Sequence, residues 1–271
     1  MEKRTKFITA AAVLTALPLA LIAPAHPSRR QKAPFMGRNF AHRGLHSRDK
    51  SVPENSLEAF RLAAAAGYGV ELDVQLSKDG QVVVFHDDNL LRVCGEDARV
   101  DERTYAELRK LRICGTDQCI PLFAEVLETI NGRGPIIVEL KNGRRNKELC
   151  RKTYELLEHY KGEVCIESFN PLIVAWFRVH AKDMLRGQLA TTTDDYGRMP
   201  KAESYILSHT LLNFIARPHF IAYKIGPRPL SVRISELMGA IKVGWTSHEP
   251  RNEKGRDAVI FEFYKPRLQF K

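Results

Sequence analysis

"VELDVQLSKDGQVVVFHD", residues Val70 to Asp87, sets two apolar β runs on either side of a short Ser-Lys-Asp-Gly link. Side chains alternate across a strand, so Val70, Leu72 and Val74 share one face and Glu71 and Asp73 the other. Two neighbouring carboxylates on one face are costly to bury unless a cation compensates them. A salt bridge to Lys or Arg would do so, and so would a metal ion. Asp79-Gly80 is a strong signal for a two-residue hairpin turn. Such a turn pairs Lys78 with Gln81 and, counting back, sets Asp73 opposite His86, with Cβ atoms about 4.5–5.5 Å apart. The competing reading, two parallel strands, needs a longer crossover than this link supplies.

The same alternation recurs along the chain. "PIIVELK" (135–141) puts Glu139 and Lys141 on one face and Val138 and Leu140 on the other. Further β runs are "NFAH" (39–42), "VCIESF" (164–169), "LRGQLA" (185–190), "FIAY" (220–223), "IKVGWT" (241–246) and "AVIFEF" (258–263). Helical patterns fall between them, over about 55–66, 104–111, 122–130, 146–160 and 171–180. The first has Asn55 as N-cap with Glu58 in capping-box spacing, and Gly67 ends it. Alternating strands and helices predict a mostly parallel sheet, and this number of units in one chain fits a TIM (β/α)8 barrel. No G-x-G-x-x-G follows a first strand, which argues against a dinucleotide-binding fold.

His42 and His86 each close an apolar run. A single His there is usually a core residue, but two of them beside three inward acids point to chemistry. Three carboxylates and a Lys suit a hard cation held by oxygens, Mg²⁺ or Ca²⁺ rather than Zn²⁺, next to an anionic ligand. Arg43 and Lys141 suit phosphate oxygens, Arg by its fork and Lys as a point charge. With one divalent cation and one phosphodiester present, these charges sum to neutral. Two imidazoles can serve as a base and acid pair near neutral pH. Pro53-Glu54-Asn55 leads into the first helix, and Glu54 either supports the site or polarises the helix start.

The net charge of +10 is unevenly placed. Residues 1–50 hold ten Lys or Arg and two acids, so the rest of the chain is close to neutral. That distribution argues against a nucleic-acid-binding face. The basic residues flank "FITAAAVLTALPLALIAPA", uncharged from Phe7 to Ala25 and about long enough to cross a bilayer. The run fits an uncleaved membrane anchor or a cleaved signal peptide. Its length and the bases that follow favour an anchor, with the catalytic domain cytoplasmic; the alternative is secretion after cleavage. The organisation expected is residues 1–25 anchor or signal, 26–38 linker and 39–271 barrel. Cys94, Cys114, Cys119, Cys150 and Cys165 form no tight pattern and read as free thiols.

From about Phe40 to Phe263 the chain resembles the glycerophosphodiester phosphodiesterases, a family with a TIM-barrel fold. The resemblance is carried by "AHRG", "PENSLEAF", "ELDVQLSKDGQVVVFHDDNLLR", "IPLFAEVL", "IIVELK", "ESFNP" and "GWT", in that order. It implies that His42 and His86 are the catalytic pair, that Glu71, Asp73 and Glu139 bind the metal, and that Arg43 and Lys141 contact phosphate or substrate. Trp245 stands where the family has a pocket-lining Trp. The family usually continues with Val-Asn where this chain has Ser247-His248, and His219 stands where an Asp is expected; His219 reads as structural. The implied activity is metal-dependent hydrolysis of a glycerophosphodiester to glycerol 3-phosphate and an alcohol. Rival readings are a lysophospholipid-type phosphodiesterase and, less favoured because all seven catalytic and ligand positions are filled, a non-catalytic membrane-tethered binding protein.

Overall fold

The computed structural model describes residues 19–270. Nine strands lie among them: β1 (Arg38–Ala41), β2 (Gly69–Leu76), β3 (Val82–Val84), β4 (Ile136–Leu140), β5 (Val164–Ser168), β6 (Leu185–Ala190), β7 (Phe220–Lys224), β8 (Ile241–Ser247) and β9 (Ala258–Phe261). All but β3 pair in parallel, and β1 pairs with both β2 and β9, so eight strands close into a barrel. The helices of eight or more residues are α1 (Leu57–Ala66), α2 (Phe123–Ile130), α3 (Asn146–Glu158), α4 (Pro171–His180), α5 (Lys201–Ser208) and α6 (Leu230–Leu237). This is the (β/α)8 architecture expected.

One parity rule explains the layering. Phe40 pairs with Gly69 and with Ile260, Asp73 with Glu139, Glu139 with Glu167, Gly187 with Phe220 and Phe220 with Ile241. Paired residues of a parallel ladder face the same way, so these positions and those two residues along share the barrel interior. Near the strand starts they are apolar: Phe40, Ile137, Cys165, Phe220 and Ile241 form one buried cluster with Phe35. Gly69 leaves room for the Phe40 ring and Gly187 for the Phe220 ring, since a Cβ at either would lie within 2.4 Å of it. Near the strand ends the interior positions become polar or aromatic: Glu71, Asp73, Glu139, Lys141, Glu167, Lys224 and Trp245. The opposite parity, including Val70, Leu72, Val74, Val138 and Leu140, packs under Phe60, Phe123, Val126 and Phe177 from the helices.

The hairpin differs from the expectation by one residue. Val74 pairs with Val84 and Leu76 with Val82, and Phe85 donates its N–H to the Asp73 carbonyl at 3.0 Å. Phe85, not His86, therefore stands opposite Asp73. The turn has three residues, Lys78 to Gly80, because Ser77 N–H bonds the Gln81 carbonyl at 3.0 Å and Gly80 takes φ +78°. Asp79 stabilises it by accepting from Ser77 Oγ at 2.6 Å and from Tyr105 N–H at 2.9 Å.

A second correction concerns α1. Its N-cap is Ser56, whose Oγ accepts from Ala59 N–H at 3.1 Å, and Glu58 pairs with Arg61 instead of closing a capping box. Asn55 sits at φ 54° with its side chain turned to the site. Gly67 ends α1 in the left-handed conformation, as its sequence position suggests.

Most of the uncharged N-terminal run lies outside the described residues. Its end packs on the barrel: the Ile22 carbonyl accepts from Asn213 Nδ2 at 3.1 Å, and Ala25 N–H donates to the Pro218 carbonyl at 2.9 Å. No helix among the described residues is long and apolar enough to cross a membrane.

His219 is buried just before β7, where its Nδ1 faces the Arg186 N–H at 3.3 Å. Burial, with Arg186 and His26 adding to it, pushes its imidazole from 6.5 down to about 3. The unfolded chain then takes up a proton below about pH 6.5 that the native state refuses, so stability falls as pH falls from there toward 3. Within that window the group should cost about 1.4 kcal/mol per pH unit. His219→Gln should flatten the fall in Tm between pH 6.5 and 4 relative to wild type, and parallel Tm curves would refute this.

Candidate active site

The polar ends of the interior positions meet at the C-terminal mouth. Glu71, Asp73 and Glu139 are buried, and one carboxylate oxygen from each lies within 4.8 Å of the others. Lys141 Nζ reaches Glu139 Oε1 at 2.8 Å and Asp73 Oδ1 at 3.4 Å. Arg43 turns at φ 52°, donates its backbone N–H to Glu71 Oε2 at 3.0 Å and brings Nε to 3.4 Å from Asp73 Oδ2. The Asn55 amide donates to the same Asp73 oxygen at 2.9 Å.

These contacts divide the three carboxylates. Burial raises the Glu71 carboxyl well above its usual range, and Asp73, Glu167 and Glu139 add to the rise. Burial also raises Glu139, although Lys141 opposes it. Burial works against ionisation of Asp73 too, but His86, Lys141, Arg43 and the Asn55 amide outweigh it and hold that carboxyl low. Lys141 is held firmly charged, since Glu139 and Asp73 outweigh its own burial.

Two imidazoles flank the cluster. His42, at the end of β1, has Nδ1 2.9 Å from Glu262 Oε2 and Nε2 3.9 Å from Glu71 Oε2. Burial lowers its pKa against the pull of Glu262. His86 has Nδ1 2.6 Å from Asp87 Oδ1, and it lines an opening shared with Lys141 and Arg92. Although out of register with Asp73, it acts on both the Asp73 and the Glu139 carboxyls. Arg92 ties the outer parts together, with Nε 2.5 Å from Asp87 Oδ2 and Nη2 2.7 Å from Glu54 Oε1. Glu54 Oε1 also accepts from Arg43 Nη1 at 2.7 Å, so Glu54 supports the site. Trp245 stands across the mouth, edge-on to Phe169 at 5.7 Å, and both line a groove of about 650 Å³ with Tyr196, Met199, Leu207 and Lys224.

A family model described as the glycerophosphoryl diester phosphodiesterase family matches residues 42–259, from the first imidazole into the last strand. The chain belongs to that family. It is thus a member of a group of phosphoric diester hydrolases, as the motifs implied. A glycerophosphodiester phosphodiesterase from Bacillus altitudinis is 36% identical over 177 residues, covering 61% of this chain and 70% of that one. A lysophospholipase D from Rattus norvegicus is 36% identical over 158 residues, covering 54% of this chain and 48% of its own, so this match spans about half of that relative. A phosphodiesterase from Oleispira antarctica, solved with sn-glycerol-3-phosphate, superposes with a TM-score of 0.69 at 24% identity, covering 83% of this chain and 93% of that one. At that identity the likeness speaks to the fold.

The sequence reading missed several residues of this candidate site. Glu262 closes the apolar run of β9 just as His42 closes that of β1, and the same criterion applied there would have found it. Glu167 sits beside Glu139 on the interior face, fully buried, and burial together with Glu139 and Asp73 raises its carboxyl well above the usual range. Its signal was the alternation of "CIES". Arg92 and His46 carried no local signal, because Glu54 and Glu262, which tie them into the site, are distant in sequence.

Proposed function

We propose that the chain hydrolyses glycerophosphodiesters to glycerol 3-phosphate and an alcohol with a divalent cation and two histidines. The arrangement that carries this reading is a buried set of three carboxylates flanked by two imidazoles, each backed by its own carboxylate. The donor set fits a hard cation. Every donor is an oxygen, Asp73 Oδ1 is buried with no hydrogen-bond donor, and Arg43 is shared between Asp73 and Glu54. Glu71, Asp73 and Glu139 would hold Mg²⁺ or Ca²⁺. Such an ion supplies Lewis-acid polarisation of a phosphoryl oxygen.

The chain's own groups do the rest. Glu262 accepts the Nδ1 proton of His42, which leaves the Nε2 lone pair on the Glu71 side to take a proton from the attacking hydroxyl. His86 gives a proton to the departing alkoxide, and Asp87 fixes the ring through Nδ1 at 2.6 Å. Lys141 and Arg43 place fixed positive charge where the diester oxygens would lie. Trp245 and Phe169 offer an apolar wall to the carbon skeleton. The names of the Bacillus relative and the ligand of the Oleispira structure support this reading.

A second reading has its own observation. The groove beside Trp245 is large and mostly apolar, which suits the single acyl chain of a lysophospholipid, and the Rattus relative is named for that activity. One assay separates the two. Purified full-length protein is given glycerophosphocholine, glycerophosphoethanolamine and lysophosphatidylcholine, each with and without excess chelator. The first reading expects glycerol 3-phosphate from the deacylated diesters and its loss on chelation. Lysophosphatidic acid as the dominant product would favour the second, and full turnover in chelator would remove the metal from both.

A further inference from the structure

Glu262 is met by three imidazoles. His42 Nδ1 lies 2.9 Å and His46 Nε2 3.3 Å from Oε2, and His248 Nε2 lies 3.8 Å from Oε1. One imidazole is enough for the positioning pair proposed above. The other two come from separate segments, His46 from the β1–α1 loop and His248 from the end of β8, and add nothing to the orientation of His42. Phe263 braces both: His46 meets its ring edge-on at 4.9 Å and His248 stacks on it at 6.1 Å.

The spacing is that of a coordination shell. The ligand atoms of His42, His46 and Glu262 all lie within 4.8 Å of one another. A tetrahedral zinc ion, with bonds of about 2.0–2.1 Å, spaces its ligand atoms about 3.3 Å apart. The His46–Glu262 contact already has that length. Imidazole nitrogens with one carboxylate select borderline transition metals, whereas the all-oxygen set of Glu71, Asp73 and Glu139 selects hard cations.

We propose that His42, His46 and Glu262, with His248 as a fourth ligand, form a zinc-capture site separate from the carboxylate site, and that zinc held there takes His42 out of catalysis. Binding follows from the geometry alone. Inhibition rests on the reading of His42 as the base. The zinc would bond to the His42 nitrogen now facing Glu262 and displace the hydrogen bond between them. No electron transfer is involved: zinc takes the Nδ1 lone pair and the single proton of the neutral ring moves to Nε2, which leaves that nitrogen without the lone pair a base needs.

The test counts zinc on the full chain by equilibrium dialysis in excess Mg²⁺, which occupies the hard-cation site. Cys94, Cys114 and Cys119, the partly exposed free thiols, are alkylated beforehand in every sample. Wild type is compared with a His46→Ala/His248→Ala double variant and with His248→Ala alone, whose side chain is 56% exposed and whose only ring contact is with Phe263. Wild type should bind one more zinc per chain than the double variant, and His248→Ala should bind it at least about tenfold more weakly than wild type. Each protein is also assayed against its own zinc-free rate, and the half-inhibiting zinc concentration should rise about tenfold or more in the double variant. Equal zinc counts and affinities in wild type and both variants would overturn the site. Equal inhibition despite a lost zinc would overturn the inhibitory role. If the wild type proves inactive on every diester, the zinc count still decides the site while the functional reading fails.

Discussion

His42→Gln should lower turnover by about 10²- to 10⁴-fold, the usual worth of a positioned proton-transfer group. Gln is close in size, so the folded barrel should survive and the loss should fall on kcat. The size follows from the placement. Nδ1 is engaged by Glu262 at 2.9 Å, and Nε2 is the free nitrogen on the side of the carboxylate cluster, 3.9 Å from Glu71. Burial keeps the ring neutral and competent as a base. Glu262→Gln should produce a smaller loss, because a carboxamide still touches the ring but no longer fixes its tautomer or stabilises its charged form. His86→Gln should resemble His42→Gln for substrates with a poor leaving alkoxide and cost much less when the leaving group is an activated phenol that needs no proton. The measurement is steady-state kcat on a glycerophosphodiester and on its nitrophenyl analogue. An unchanged kcat in His42→Gln would sink the base assignment, and an equal loss on both substrates in His86→Gln would sink the acid assignment.

The sequence revealed what depends on local periodicity. Strand alternation placed Glu71, Asp73, Glu139 and Lys141 on the interior face, and the closed barrel needs only that parity and the β1–β2 and β1–β9 pairings to bring them together. Register is finer than periodicity. Lys78, Asp79 and Gly80 support either a two-residue or a three-residue loop, and the choice fell to Ser77 and Asp79, whose side chains bond within the turn and to Tyr105. Asn55 shows the same limit. It is a good N-cap by type, but the neighbouring Ser56 can cap equally well, which frees Asn55 to hold Asp73. Glu54, Arg92 and Asp87 form a chain of contacts from Arg43 to His86, with Arg92 separated from Glu54 by 38 positions. No local pattern encodes such a pairing; it exists because the β2–β3 hairpin and the segment after it fold over the mouth.

Asp73→Asn should lower turnover by about 10³-fold, equivalent to about 4 kcal/mol at 1.36 kcal/mol per tenfold. Asp73 is the carboxylate on which the site converges. It faces Arg43 and Lys141 at 3.4 Å each and accepts from Asn55 at 2.9 Å, and it is the member of the three that its surroundings hold ionised. An amide keeps the shape and can still accept from Asn55, but it removes an anionic ligand and the charge that orients both cations. The fold should tolerate the change, since Lys141 keeps Glu139 at 2.8 Å and Arg43 keeps Glu54 at 2.7 Å. Losing Asp73 eases the repulsion that helps raise Glu71 and Glu139, but it also removes the attraction to Arg43 and Lys141 that outweighs that repulsion. Without added cation, the variant should therefore melt below the wild-type Tm, because the ionised Asp73 is favoured by the fold and its loss leaves Arg43 and Lys141 with one anionic partner fewer. With saturating Mg²⁺ or Ca²⁺ the gap should widen, because a ligand that binds only the native state stabilises it according to its affinity, and the variant will have lost most of that affinity. Thermal melts of both proteins across a cation titration read this directly. A variant that gains as much Tm from the cation as wild type, and turns over within about twofold of it, would show that Asp73 neither holds the metal nor shapes the reaction.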